Sequence, residues 1–171
     1  MKELTLVIPA KDEAECLPRV LDELKNFDCK KIIIIPETDL NTRNSIKNFD
    51  CKIITQKTGG FGRALILGIK EVETDFLCIF NADGSFDPQY LKNMYNELLN
   101  NCDFVFNSRY ENSGGSDDDT FLTLAGNRIF TFICNLLFRL NISDVLFTYV
   151  MGKTLAFKSL DLKRKDFRFC I

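Results

Sequence analysis

The stretch "LTLVIPAKDEAECLPRVLDEL", Leu4 to Leu24, decides the fold. It opens with a nearly continuous apolar run, Leu4 to Pro9, as a strand buried on both faces requires. A polar turn over Asp12 to Glu15 follows, and then Leu17, Val20, Leu21 and Leu24 recur at helical spacing. Pro18 is tolerated only near a helix start, so the helix is expected to begin near Leu17. The pattern then repeats. "KIIIIP" (Lys31 to Pro36), "KIIT" (Lys52 to Thr55), "FLCIF" (Phe76 to Phe80) and "FVFNS" (Phe104 to Ser108) read as further strands. Apolar stripes at Ala64, Leu65, Leu67, Gly68 and Val72, and at Leu91, Met94, Tyr95 and Leu98, read as helices. This alternation predicts an α/β fold, a mostly parallel central sheet with helices on both faces. "ENSGGSDDDT", Glu111 to Thr120, is expected to be a flexible loop before a last long helix.

Composition narrows the function. At 171 residues, 46% hydrophobic and 27% charged, residues 1–171 have the size and balance of one soluble domain with a substantial core. Twenty-four acids against 22 bases give a net charge of -2, so no overall field favours nucleic acid. The seven cysteines form no CxxC pair and several lie in apolar segments, which favours buried thiols over disulfides or zinc. There is no histidine, which excludes Ser-His and Cys-His nucleophilic machinery and leaves proton transfer to a carboxylate, Lys, Tyr or the substrate. "MKELTLVIPAKDE" lacks the apolar core of a signal peptide, so a cytoplasmic protein is expected. Gly126, Asn127, Arg128, Asn135 and Arg139 interrupt the apolar Leu122 to Leu140 stretch, which makes it a poor transmembrane span.

Ligands of open parallel sheets bind beyond the carboxyl ends of the strands. Four polar segments fall there: "PAKDE", "PETD", "NADGSFDP" and "SRY". In "NADGSFDP", Asp83 is the firm candidate ligand for a hard divalent cation, Mg or Mn, with Asn81 or Ser85 adding oxygen and a diphosphate completing the shell. The competing reading is a turn in which Asp83-Gly84 bends the chain and Asp87, before Pro88, caps the next helix.

In this order and spacing, the segments resemble family 2 glycosyltransferases of the GT-A fold, in particular the dolichyl-phosphate mannose synthase and polyprenyl-phosphate glycosyltransferase branch. The resemblance rests on "VIPAKDEAECLPRVLDEL", "GGFGRALILGI", "NADGSFDP", "NSRY", and "GNRIFTFICNLLF" with "ISD" further on, and covers almost the whole chain. It implies that Pro9, Ala10, Asp12 and Glu13 line the base and ribose, and that Asn81, Ala82 and Asp83 face the nucleotide sugar. Gly62, with Gly59 and Gly60, would let the backbone approach the ligand beside Arg63. Arg109 and Arg128 would neutralise the diphosphate or an acceptor phosphate. Three departures stand out. "PETD" replaces a "DDGS"-like strand end, leaving Glu37 or Asp39 to substitute for the missing acid; Asn81 replaces the first acid of the metal motif; and Asp144 is followed by "VLFTYV" rather than "SGFR".

The implied activity is an inverting transfer from a nucleoside-diphosphate-sugar donor. A polyprenyl or other lipid phosphate acceptor would already be anionic and need little help from a base. A hydroxyl acceptor would need one, with Asp144 the candidate and Asp87 behind it, so Asp144 and Arg109 are the candidate catalytic residues. A lipid acceptor also implies peripheral contact at the cytoplasmic face of a membrane, through the segment carrying Phe121, Phe130, Phe132 and Phe138; core packing is the expected role of those phenylalanines. The basic run Lys158, Lys163, Arg164, Lys165 and Arg168 is expected on a solvated surface. The alternative to an enzyme is a catalytically impaired nucleotide-sugar binding module, suggested by the missing acids and by an ending at "DFRFCI" where relatives continue.

Overall fold

The structure, a computed structural model, describes residues 1–110 and 121–170, and for Phe121 and Cys170 the backbone only. The expected loop over Glu111 to Thr120 lies outside the described residues. In chain order the elements are β1 (Leu4–Pro9), α1 (Cys16–Glu23), β2 (Lys30–Pro36), α2 (Leu40–Ser45), β3 (Lys52–Gln56), α3 (Phe61–Lys70), β4 (Phe76–Ile79), α4 (Tyr90–Leu99), β5 (Phe104–Phe106), α5 (Phe121–Phe138), β6 (Val150–Lys153) and α6 (Thr154–Ser159). Short 3-10 turns follow α1 and cover Phe167–Cys170.

One six-stranded sheet, ordered β3-β2-β1-β4-β6-β5, organises the molecule. The first four strands run parallel, and β6 lies antiparallel between β4 and β5. Successive strand residues point to opposite faces, so each apolar strand feeds two cores. Leu4, Leu6, Ile8, Ile33 and Ile35 face α1 and α4, where they meet Leu17, Val20, Leu21, Leu91, Met94 and Leu98. Val7, Ile32, Ile34, Leu77 and Ile79 face α3, where they meet Ala64, Leu65 and Ile69. Thr5, buried on β1, is satisfied by the Thr74 hydroxyl at 2.6 Å.

Helix α1 starts at Cys16, so Pro18 falls in its first turn, where its missing N–H has no intrahelical partner to lose. "FVFNS" forms only three strand residues, and the Asn107 N–H goes to Tyr149 O at 3.0 Å. Strand β6 was not expected. Its sequence, "VMGK", alternates no apolar face, and it is a strand because β4 and β5 pair with both its edges. A Cβ on Gly152 would lie 2.6 Å from Phe104 Cδ1, so only glycine lets β5 pack there.

Candidate active site

The loops after β1 and β2 are tied together by backbone donors. Asp39 caps α2 by accepting from Thr42 N at 3.1 Å, and its other oxygen accepts from Asp12 N at 2.7 Å. The Thr42 hydroxyl accepts from Glu13 N at 2.9 Å. Asp12 is held at φ 60, a left-handed conformation an aspartate tolerates better than most residues, and its side chain stands in solvent. Burial alone would raise Asp39, but the N–H of Asp12, the hydroxyl and N–H of Thr42 and the charge of Lys11 outweigh it and hold the carboxyl below its usual range. Of the two acids left open after β2, Asp39 is therefore the one joined to the β1 loop. Glu37 is exposed, and its N–H is held by Gln56 O. Pro9 is partly buried at the end of β1, whereas Ala10 and Ala82, expected against a nucleotide, are 3% and 4% exposed and pack in the core under the loops.

After β4 the chain makes a tight oxygen-rich turn. Ser85 N donates to Asp83 Oδ1 at 2.9 Å, and Asn81 Nδ2 donates to Ser85 Oγ at 3.0 Å. The Asn81 amide thus turns its nitrogen toward Ser85, and its oxygen has no partner among the described residues. Gly84 sits at φ 85, a backbone conformation that favours glycine, with Arg19 Nη2 2.8 Å from where a Cβ would stand. Arg19, which sequence reasoning did not single out, is an exposed cation beside this turn. Asp87 accepts from Gln89 N at 2.9 Å ahead of α4. Burial, then the charges of Asp83, Asp12 and Asp39, push Glu13 above the usual carboxylate range. That ordering places three loops in one electrostatic neighbourhood.

These donors fit a hard cation. Asp83 offers one carboxylate, and Asn81 and Ser85 offer neutral oxygens, the ligand type Mg and Mn take. Among the described residues no group of three acids, cysteines or histidines gathers to hold a metal on its own. A cation here would depend on oxygens brought by the ligand.

The opposite side is arginine-rich. Arg109, just past β5, donates from Nε to Asp144 Oδ2 at 2.8 Å and from Nη2 to Asp144 Oδ1 at 3.0 Å, and its backbone N–H reaches Oδ2 at 3.3 Å. The Asp144 side chain has no exposed surface and that of Arg109 is 22% exposed. Both carboxylate oxygens of Asp144, the candidate base for a hydroxyl acceptor, are thus engaged by Arg109 and buried in the pair. The Arg109 guanidinium lies 5.2 Å from the Tyr110 ring and 5.3 Å from the Phe147 ring, and Arg128 of α5 lies 6.0 Å from Tyr110 on the same ring system. Beneath them Phe80, Phe86, Phe147 and Tyr149 form an aromatic cluster, with Phe86 and Tyr149 stacked at 4.5 Å. The buried Tyr149 hydroxyl donates to Asp87 O at 3.0 Å and so ties the two halves together. Burial pushes that hydroxyl far above the usual tyrosine range, so it stays a neutral donor.

In the glycine-rich stretch, Gly59 borders open space whereas Gly60 and Gly62 pack against residues 164–169. A Cβ on Gly62 would meet Arg164 O, lie 2.8 Å from Asp166 O and 2.8 Å from Phe169 Cβ; one on Gly60 would meet Lys165 O. Arg63 N donates to Lys165 O at 3.1 Å, and Phe61 stacks on Phe167 at 5.0 Å. Residues 164–169 make the close backbone approach beside Gly62. Arg63 Nη1 reaches the Thr58 hydroxyl at 2.7 Å. The charges of that segment are partly neutralised locally, Lys163 by Asp161 and Arg168 by Asp166.

Residues 5–161 match the family model described as Glycosyl transferase family 2. Among solved structures, mannosyl-3-phosphoglycerate synthase from Rubrobacter xylanophilus superposes with a TM-score of 0.71 at 15% identity, over 92% of this chain and 55% of that one. Glucosyl-3-phosphoglycerate synthase from Mycobacterium tuberculosis, in complex with Mn2+, UDP and glucosyl-3-phosphoglycerate, gives 0.72 at 14% identity, over 92% and 58%. TarS from S. aureus gives 0.60 at 13% identity, over 98% and 53%. At these identities the likeness is one of fold, the mixed α/β fold expected from the sequence. The chain spans a little over half the length of these structures.

Proposed function

Because the chain belongs to glycosyl transferase family 2, we propose that it moves a sugar, with inversion, from a nucleoside-diphosphate donor seated over the ends of β1, β2 and β4 to an acceptor on the side of β5 and α5. The carrying observation is that β2, β1 and β4 lie side by side and end together, with the β1 and β2 loops tied by the Asp12 N–Asp39 and Glu13 N–Thr42 bonds and the Asp83 turn following the adjacent β4. Asp12 and Glu13 there can accept from ribose hydroxyls and a base edge, Asp39 spends both oxygens on ordering the loops, and Asn81, Asp83 and Ser85 can hold a cation. A bound cation supplies Lewis-acid stabilisation of the departing diphosphate. The glucosyl-3-phosphoglycerate synthase structure with Mn2+ and UDP supports such a pairing by analogy of fold.

On the acceptor side Arg109 supplies a fixed positive fork. Asp144 orients it and stands outside the reacting atoms, because its oxygens are buried in the pair. Asp87, the second candidate base, already spends one oxygen on Gln89 N. An acceptor that arrives as an anion suits this arrangement best, and a lipid phosphate is the acceptor we assign. The phosphate oxygen attacks the anomeric carbon, the bond to the diphosphate breaks, and no proton has to be removed by the protein.

A binding module without turnover is the second reading, favoured by the single carboxylate at the cation turn. The test is a calorimetric titration of the chain with nucleoside diphosphates and their sugars, with and without manganese, repeated on Asp83→Ala. The transferase reading expects binding strengthened by manganese and weakened tenfold or more by Asp83→Ala only when manganese is present. No binding of any nucleotide would sink both readings. Manganese-dependent binding with no transfer to polyprenyl phosphate, in the longest form of the protein, would favour the binding module.

A further inference from the structure

Helix α5 is built inside out. Its polar residues point toward the protein: Asn127 Nδ2 donates to the Tyr110 hydroxyl at 2.9 Å, Thr131 Oγ1 accepts from Val145 N at 3.3 Å, and Asn135 exchanges two bonds with Ile142, at 2.8 and 3.2 Å. With Cys134 these residues follow the i, i+4, i+7, i+8 spacing of one helix face. The other face carries Ile129, Phe132, Ile133, Leu136 and Leu137, at the same kind of spacing and exposed by 44–70%. Leu122, 81% exposed, extends the stripe at the N-terminal end. Core packing, the role expected for these phenylalanines, is therefore not what Phe132 and Phe138 do. A stripe of this size is larger than scattered surface apolar residues explain.

The charge pattern says what covers it. Between residues 121 and 140 there are two arginines, Arg128 and Arg139, both exposed, and no acid. A two-fold pairing of this face with a second copy would bring arginines together with no carboxylate opposite them on the helix. An anionic bilayer surface offers both the apolar depth and the negative charge that such a helix lacks. No helix among the described residues is long and apolar enough to cross a membrane, so the contact lies in the plane of the interface. We infer that α5 docks the protein on an anionic lipid surface through Ile129, Phe132, Ile133, Leu136 and Leu137, with Arg128 and Arg139 at the headgroup level. This inference deepens the acceptor assignment by placing the headgroup plane beside Arg128, Tyr110 and Arg109, but it does not depend on it, since the helix can lie on lipid whatever the chain transfers.

The test is co-sedimentation of the chain with vesicles of phosphatidylcholine, with and without about a third phosphatidylglycerol. Expected is binding to the anionic vesicles, at least tenfold weaker to the neutral ones, weakened by salt, and reduced tenfold or more by Phe132→Ser with Leu136→Ser. Arg139→Asn, which suits the left-handed backbone at that position, should weaken anionic binding about fivefold. Circular dichroism of each variant checks the fold, and the vesicle-charge and salt comparisons on the unaltered chain stand even if a variant unfolds. Absence of binding to either vesicle overturns the inference. So does a concentration-dependent dimer that Phe132→Ser with Leu136→Ser abolishes, which would make a second copy the occupant. Equal binding to neutral and anionic vesicles removes the arginines from the account and overturns it in this form.

Discussion

Asp144 closes on Arg109 from three directions, and this pair defines what a single residue contributes on the acceptor side. Asp144→Asn keeps the shape but removes the charge and turns one acceptor into a donor facing a guanidinium. We expect it to lower stability by about 2 kcal/mol in urea unfolding, because charge-assisted bonds in a buried pair are lost while the arginine stays in place. A carboxylate kept for proton transfer alone would leave stability unchanged or improved on neutralisation, so the same measurement separates the two roles. Arg109 was legible in the sequence as a cation at a strand end. The pairing was not, because residues 109 and 144 lie on different elements and nothing local to "ISD" says which cation it meets. Asp39 and Thr42 are a partial case: an acid three residues before a threonine after a strand is a readable helix cap, but its second bond, to Asp12 N, is tertiary.

At the scale of elements, α3 is held between two close approaches. A Cβ on Gly68 would lie 2.7 Å from Ile34 Cδ1, and one on Gly62 would run into residues 164–169. Gly62→Ala should cost about 1–3 kcal/mol in thermal or urea unfolding, because a methyl group is forced against backbone oxygens that cannot rotate away. Hydrogen exchange should report the same event locally, with the Arg63 N–H losing protection as its bond to Lys165 O is broken. If Gly62 instead bordered an open ligand site, the substitution would leave stability alone and weaken only ligand binding. The strands β1, β2 and β4 were readable because burial on both faces makes each of them a near-continuous apolar run, and the half-buried edge strand β3 was readable from its short β-branched run Ile53–Thr55. Helices α2 and α6, of six residues each, carry no stripe long enough to read, and β6 takes its state from its two neighbours. Helix α5 was readable as a helix but not by its orientation, since an apolar stripe is the same whether it faces a core or a membrane.

For the whole molecule, the parallel sheet gathers negative charge at one end, and pH exposes it. Glu13 in the folded chain titrates above its usual range, so its ionised form opposes folding, an effect that sets in as pH rises through the ordinary glutamate pKa near 4. Glu13→Gln should therefore raise the melting temperature at pH 7, give no gain at about pH 3, and give a smaller gain when manganese is present to offset Asp83. Asp39 has the opposite sign. Its folded pKa is depressed, so it contributes stability above the ordinary aspartate range and loses it as pH falls through the depressed value. Asp39→Asn, which keeps a good helix cap, should lower the melting temperature at pH 7, and the penalty should fade on acidification. Equal pH profiles for both variants and the parent would mean that the strand ends do not share a field. The sequence by itself determined the layered α/β architecture, the four parallel strands and the turn chemistry of "NADGSFDP", because hydrophobic period and turn preference are properties of neighbouring residues. Only the tertiary structure decided that Asp144 serves Arg109, that residues 164–169 fill the space beside Gly62, and that α5 turns its apolar face outward. Each of these depends on which distant surface is brought into contact, and local sequence carries no record of that.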